Sequence, residues 1–215
     1  MDALPHTIGM AVAKKPPGRF HHGDLARALL DALAEAIAEH GPEAISLRDV
    51  ARRAGVAHSA AAPHFGDKRG LLTAFAAEGL ERLGAAQRAF MARADPAPAA
   101  QCAAAGHGYL DFARRHPAHF RIMFRKALLA GDDARLVAAA EQAWRPLAET
   151  VAALLPEACG IARQHAMAHA WSTVHGFASL EAEGASRPLR GDLPLADAED
   201  ALIAGLVAAL SHRQE

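Results

Sequence analysis

Residues Ser46 to Lys68 read SLRDVARRAGVAHSAAAPHFGDK, and the centre of that stretch is Val50-Ala51-x-x-x-Gly55-Val56. Each position has a steric reason. Ala51 is small where two helices must cross closely, and Gly55 supplies a sharp backbone turn. Val50 and Val56 pack beneath that turn. Ser46 can cap the first helix, and Asp49 three residues later resembles a capping box. A second short helix then starts near His58. This is the pattern of a helix-turn-helix, whose second helix is held steeply enough to enter a major groove.

The flanking sequence agrees. Asp24 to His40 reads as a helix, with Leu25, Leu29, Leu33 and Ile37 repeating every fourth residue and Leu30 widening the stripe. His40-Gly41-Pro42 stops it. Gly66-Asp67 breaks the chain again, and Asp67 can cap a long helix from Lys68 to about Arg93. Beyond Asp95-Pro96-Ala97-Pro98, helices are expected at about 99–115, 117–129, 133–155, 158–184 and 195–213. Pro146 should kink the 133–155 helix or shift its start.

Composition supports an all-α fold. Hydrophobic residues make up 52% of the 215 but aromatic ones only 5%, and much of the apolar content is alanine. Few stretches are both β-branched and alternating. Residues 1–70 carry nine Lys/Arg against eight Asp/Glu, and the whole chain is at -1, so any grip on DNA must come from local geometry. Two cysteines without finger or CxxC spacing fit a reducing cytoplasm. No apolar run reaches membrane-spanning length, and no secretory pattern is evident at the N-terminus.

The order of helix, His-Gly, Ser-Leu-Arg-Asp-Val-Ala-x-x-Ala-Gly-Val, His64-Phe65-x-x-Lys68 and Leu71-Leu72 resembles the TetR family of regulators. Further along, Trp171-Ser-Thr-Val-His175-Gly176 is similar to the Trp-x-x-x-His-Gly signature of one TetR subgroup. Tyr109-x-x-Phe112-Ala113 and His116-Pro117-x-x-Phe120-x-x-Met123-Phe124 fit that class as well. The resemblance implies three N-terminal helices that bind DNA, followed by a helical region that binds a small effector and forms a homodimer. The expected division is a mobile arm at 1–20, a helix-turn-helix domain at 21–68, and an effector-binding and dimerisation domain at 69–215.

Roles follow residue by residue. Ser46, Leu47 and Arg48 open the first motif helix, where backbone N–H groups suit a phosphate. His58, Ser59 and Ala60 open the recognition helix, the end that faces base edges of double-stranded DNA. His64 and Lys68 match positions that pack or hold the DNA backbone in the family. Lys14, Lys15 and Arg19 belong either to a DNA-contacting arm or to a solvated tail. The family usually has an aromatic and a basic residue where this chain has Ala62 and Pro63. Pro63 removes an N–H and crowds the Ser59 carbonyl, so a short or distorted recognition helix with weaker phosphate anchoring is expected.

For the effector, candidates are Tyr109, Phe112, Met123, Phe124, Trp144, Met167, Trp171, His175 and Phe177, any of which could instead be plain core. Leu202, Ile203, Leu206, Val207 and Leu210 form an apolar stripe suited to dimerisation, and the alanines of 158–178 with Gly176 allow close helix approach. The family mechanism is a population shift: ligand changes the spacing of two recognition helices, and a palindromic operator is released. Repression is the family's common mode.

Two other readings remain. The thirteen histidines include His165 and His169 at i,i+4 and the weaker pair His116 and His119, which raises a metal or haem sensor. A helical adaptor with weakened DNA binding is the other. No metal site and no cofactor are expected on the main reading. No nucleophile elbow, phosphate loop or His-Glu-x-x-His points to an enzyme, and Asp132-Asp133 reads as a helix-start cap.

Overall fold

The structure, a computed structural model, describes residues 22–212. The expected arm, with Lys14, Lys15 and Arg19, lies outside those residues. All regular elements among them are helical. Helix α1 (His22–His40) buries Leu29, Leu33 and Ile37 completely. Its end is closed by Gly41, whose φ of 75° lets its N–H donate to the Ile37 carbonyl at 3.0 Å.

Helices α2 (Leu47–Arg53) and α3 (His58–Phe65) form the helix-turn-helix. Gly55 turns the chain at φ 73°, and the Val56 N–H reaches the Ala51 carbonyl at 2.9 Å. Val50, Ala51 and Ala61 are fully buried where the helices cross. Ser46 caps α2, accepting from the Asp49 N–H. Helix α3 runs unbroken through Pro63 and is two turns long, ending at Gly66.

Helix α4 (Lys68–Met91) starts from Asp67, whose carboxylate accepts from the Gly70 N–H at 2.8 Å. At about 1.5 Å per residue its 24 residues span about 36 Å. Leu71, Leu72 and Phe75 belong to the core shared with α1, and the remainder packs on α5 (Pro98–Arg115), α6 (Pro117–Met123) and α7 (Ala134–Leu154). Helices α8 (Gly160–Ala182), α9 (Arg187–Arg190) and α10 (Leu195–Ser211) complete the chain.

Two expectations need correction. The helix expected at 117–129 stops at Met123, and a 3₁₀ turn (Lys126–Leu128) follows. Side chains of α4 hold that connection: Thr73 accepts from the Ala130 N–H, and Arg69 donates to the Leu129 carbonyl. The expected loop 184–194 contains α9. Pro146 neither ends α7 nor shifts its start. The Gln142 carbonyl that it deprives of a partner faces Arg88 Nη1 at 3.5 Å, and the Thr150 hydroxyl donates to the Pro146 carbonyl. Asp133 caps α7 as read from the sequence, accepting from the Leu136 N–H. Among the described residues, no helix is long and apolar enough to cross a membrane.

Candidate functional site

At one end of the molecule α3 presents His58, Ser59 and Pro63 to solvent, with Ala60, Ala62 and His64 half-buried. Ala57 at the start of α3 brings no side-chain cap. Arg48 is exposed on α2, whereas Leu47 is buried in the motif core. Leu47 is thus a packing residue whose side chain is turned away from any partner. Ser46 is committed internally: its hydroxyl donates to Asp49 Oδ2 at 2.5 Å and accepts from the Asp49 N–H at 3.1 Å. The Ser46 hydroxyl holds the Asp49 carboxyl below its usual range, with Arg52 helping, so a negative charge sits at the start of α2. Lys68 Nζ donates to the Glu43 carbonyl at 3.1 Å and ties α4 to the loop before α2. Arg53, read as surface charge, forks onto Glu39 at 2.8 and 2.6 Å and clamps α2 to α1.

At the other end, α4, α5, α7, α8 and α10 enclose an apolar cavity of about 590 Å³ measured out to its open mouth. Of the residues expected around an effector, Tyr109, Phe124, Trp144 and Trp171 line it. Trp144 and Trp171 meet edge-on at 5.1 Å between ring centroids, and Trp171 stacks on His175 at 5.0 Å. His175 therefore stands behind Trp171 rather than in the wall. Its Nδ1 pairs with the Tyr109 hydroxyl at 2.7 Å, which fixes both rings. Burial pushes the His175 pKa down and the Tyr109 hydroxyl up, so the pair is neutral.

Four further candidates lie elsewhere. Phe112 is 1% exposed and Met123 4%, and both fill core between α4, α5 and α6. Phe112 is three residues from Tyr109, and its ring faces His116 instead. The Met123 sulfur lies where α6 crosses Gly79. Met167 is partly buried against the core, and Phe177 lines a separate groove with Leu110, Pro117 and Leu195. The sequence reading missed Leu80, Leu83, Gln87, Cys102 and Thr150 of the cavity wall. The signal was present: Leu80, Leu83 and Gln87 sit at i, i+3 and i+7 on α4, with one polar residue on an otherwise apolar face.

Between the two ends lies a buried ionic cluster. Glu78 of α4, 7% exposed, accepts from Arg27 Nη1 of α1 at 2.6 Å and is also paired with Arg82. Burial alone would raise the Glu78 pKa, but the two guanidiniums outweigh it and hold it below the usual carboxylate range. His119 of α6 lies against the cluster, 3.9 Å from Glu78 and stacked on Phe75 at 3.8 Å. Burial lowers its pKa to about 4.

The outer face of the second half of α10 is small and apolar, whereas that of α8 mixes Ile161 and Ala168 with Gln164, His165, His169 and Ser172. Ile161 is 66% exposed, and Ala168, Ala204, Gly205, Ala208 and Ala209 are also in solvent. A Cβ added at Gly176 or Gly205 would meet nothing within 4 Å. The stripe read from the sequence points the other way: Ile203, Leu206 and Leu210 are buried within the chain, with Leu202 and Val207 at its flanks. His165 and His169 are both exposed on α8, while His119 is buried. Among the described residues, no three His, Cys, Asp or Glu side chains converge as a metal site would require.

An exposed helix-turn-helix joined by one long helix to an all-helical core with an apolar cavity defines the class of DNA-binding transcription regulators. The family model described as bacterial regulatory proteins, tetR family, matches residues 29–75, and the tetracyclin repressor-like C-terminal domain matches 102–210. The chain belongs to the TetR family. A protein of unknown function from Rhodococcus sp. RHA1 is 28% identical, with 92% of this chain and 98% of that one covered at a TM-score of 0.73. A TetR-like transcriptional regulator from the same organism shares the fold at 21% identity, with 91% and 98% covered at a TM-score of 0.59. The fatty acid degradation regulator FadR of Bacillus halodurans also shares it at 17% identity, with 92% and 96% covered at a TM-score of 0.62. No curated protein matches the sequence.

Proposed function

We propose that this chain is a cytoplasmic, ligand-responsive repressor that binds a palindromic operator as a homodimer and leaves it when a small molecule enters the cavity. The observation that carries the reading is the course of α4. Its first turns adjoin α3 and belong to the same buried core as α1, Glu78 pairs with Arg27 of α1, and Leu80, Leu83 and Gln87 further along form part of the cavity wall. A ligand that favours one arrangement of that wall biases the position of α3 by its differential affinity for the two states.

In this reading His58, Ser59 and Ala60 face base edges, while Arg48, His64 and Lys68 hold the DNA backbone. Ser46 takes a phosphate only after releasing Asp49. The exposed alanine and glycine face of α10, with the adjoining face of α8, pairs two copies closely enough to set both recognition helices about one DNA turn apart. The division into a helix-turn-helix unit at 21–68 and an effector and dimer unit at 69–215 follows, with α4 as the shared element. The stacked Trp171 and His175 support placing the C-terminal region in the Trp-x-x-x-His-Gly subgroup.

Selection of duplexes from a randomised pool tests the DNA claim. Enrichment of an inverted repeat is expected, with affinity lost in a His58→Ala, Ser59→Ala double variant. Failure of the full-length protein to enrich any sequence would refute it. Ala62 and Pro63 support modest anchoring, so the operator Kd should fall toward the weak end of the roughly 10⁻⁸ to 10⁻¹¹ M typical of specific regulators.

A further inference from the structure

The cavity wall carries a buried acceptor that the fold leaves unused. Gln87 is 5% exposed, lies in the wall, and its Oε1 has no hydrogen-bond partner. A buried amide oxygen without a partner forfeits a hydrogen bond that water would have made. The Tyr109 hydroxyl is engaged with His175 and the Thr150 hydroxyl with the Pro146 carbonyl, and the indole N–H groups of Trp144 and Trp171 can only donate. Cys102 is a buried thiol, and burial keeps it protonated. None of the described wall residues carries a formal charge.

We infer, building on the ligand-responsive reading above, that the effector is an uncharged, largely apolar aromatic molecule whose single O–H or N–H group donates to Gln87 Oε1. The ring system of Phe124, Trp144 and Trp171 supplies faces and edges for a planar body. A carboxylate or phosphate would enter a wall with no cation to meet it and would bear its desolvation cost uncompensated. An ammonium would likewise find no carboxylate. A hydrocarbon without a donor would bind by area alone and leave Gln87 unpaired.

Three probes of one shape separate these cases: 4-propylphenol, propylbenzene and 4-propylbenzoate. The chain has only two tryptophans, and both line the cavity, so their emission reports on this site specifically. Titrated into full-length protein, with calorimetry in parallel, 4-propylphenol should perturb the emission and bind about tenfold more tightly than propylbenzene, the worth of one well-made hydrogen bond. The benzoate should bind most weakly. In Gln87→Met, a near-isosteric change, the phenol and propylbenzene should converge. The ranking in the unmodified protein stands as its own test should that variant fold poorly. Benzoate binding as tightly as the phenol, or phenol and propylbenzene binding equally in the unmodified protein, would overturn the inference while leaving a ligand cavity intact. No perturbation by any probe would overturn it together with the effector reading, and operator selection would still judge DNA binding separately.

Discussion

His119 should make the largest single contribution to the protein's acid sensitivity, since burial lowers His116 and His175 as well but less far. Its ring is 4% exposed and packed between Phe75 and Gly79, and Nε2 has no partner. Glu78 lies 3.9 Å away but is already neutralised by Arg27 and Arg82, so burial wins and the folded-state pKa falls to about 4. An unfolded histidine titrates near about 6.5. Between those values the unfolded chain binds the extra proton, so stability rises with pH across the window and is lost as pH falls. At pH 5 the forfeited stability is roughly 1.5 pKa units, or about 2 kcal/mol, and the full shift is worth about 3 kcal/mol. The assay is urea unfolding at pH 7 and pH 5, at one fixed protein concentration, for the unmodified protein and His119→Leu. At pH 7 the variant loses the Phe75 stack but removes an unpaired nitrogen, so its net change is small. What matters is the difference of differences: the variant should lose about 2 kcal/mol less than the parent between the two pH values. Equal losses in both proteins would refute the reasoning.

Gly108→Ala should destabilise by about 1–3 kcal/mol in the same unfolding assay, because its Cβ would lie 2.6 Å from Gln87 Cα and 2.9 Å from the Ala86 carbonyl. Tyr109→Phe removes the hydroxyl that fixes His175 and should cost about 1 kcal/mol, read by thermal melting alongside a change in tryptophan emission. An Ala204→Arg, Ala208→Arg double variant puts charge on the exposed face of α10 and should give a folded monomer by sedimentation velocity with operator binding lost. Replacing Ala62 with Tyr and Pro63 with Lys should raise operator affinity about tenfold and steepen its salt dependence, measured by anisotropy.

The N-terminal motif was legible because each of its residues acts locally. Gly55 must turn with positive φ, Ala51 must be small, and Ser46 and Asp67 must cap, all within four residues of the groups they serve. The helix period and proline positions placed the larger helices for the same reason. The cavity was only half legible. Trp144 and Trp171 stand out in a chain poor in aromatic residues, but whether a ring faces a void or a neighbour depends on packing between helices remote in sequence. Phe112 and Tyr109 differ by three residues on one helix, yet one ring is core and the other is wall. What offsets Pro146 within α7 was not legible because it is tertiary: the carbonyl it strands at Gln142 faces Arg88 of α4, which no local pattern announces. The dimer stripe failed similarly. The large aliphatic residues of α10 fill the monomer, and the face left for a partner is the one of alanine and glycine.

That same remote packing bears on how α4 would carry the signal that the proposed function requires. Three close approaches grip its cavity-side half. His119 of α6 lies 3.0 Å from where a Gly79 Cβ would be, the Gln142 carbonyl of α7 lies 3.1 Å from that of Gly84, and Gly108 of α5 rests on the Gln87 backbone. At such contacts the helices cannot slide without a backbone moving, because dense interiors transmit displacement rather than absorb it. Toward the helix-turn-helix, a Cβ at Gly70 would fall on the Phe65 carbonyl of α3, Arg27 of α1 pairs with Glu78, and Lys68 holds the loop before α2 by a carbonyl. The Gly70 contact seats α3 firmly on α4, whereas the polar ties to Arg27 and to the Glu43 carbonyl tolerate reorientation better. On the ligand-responsive reading, a change in the cavity wall moves α4 with α5 and α7 as one body, α3 follows through Gly70, and the adjustment falls on the Arg27–Glu78 and Lys68–Glu43 links to α1 and the loop before α2. Arg27→Gln should accordingly weaken the coupling between ligand and operator while leaving ligand affinity for the free protein unchanged. Calorimetric titration of 4-propylphenol with and without operator DNA checks this, and an unaltered ratio of the two affinities in the variant would place the hinge elsewhere.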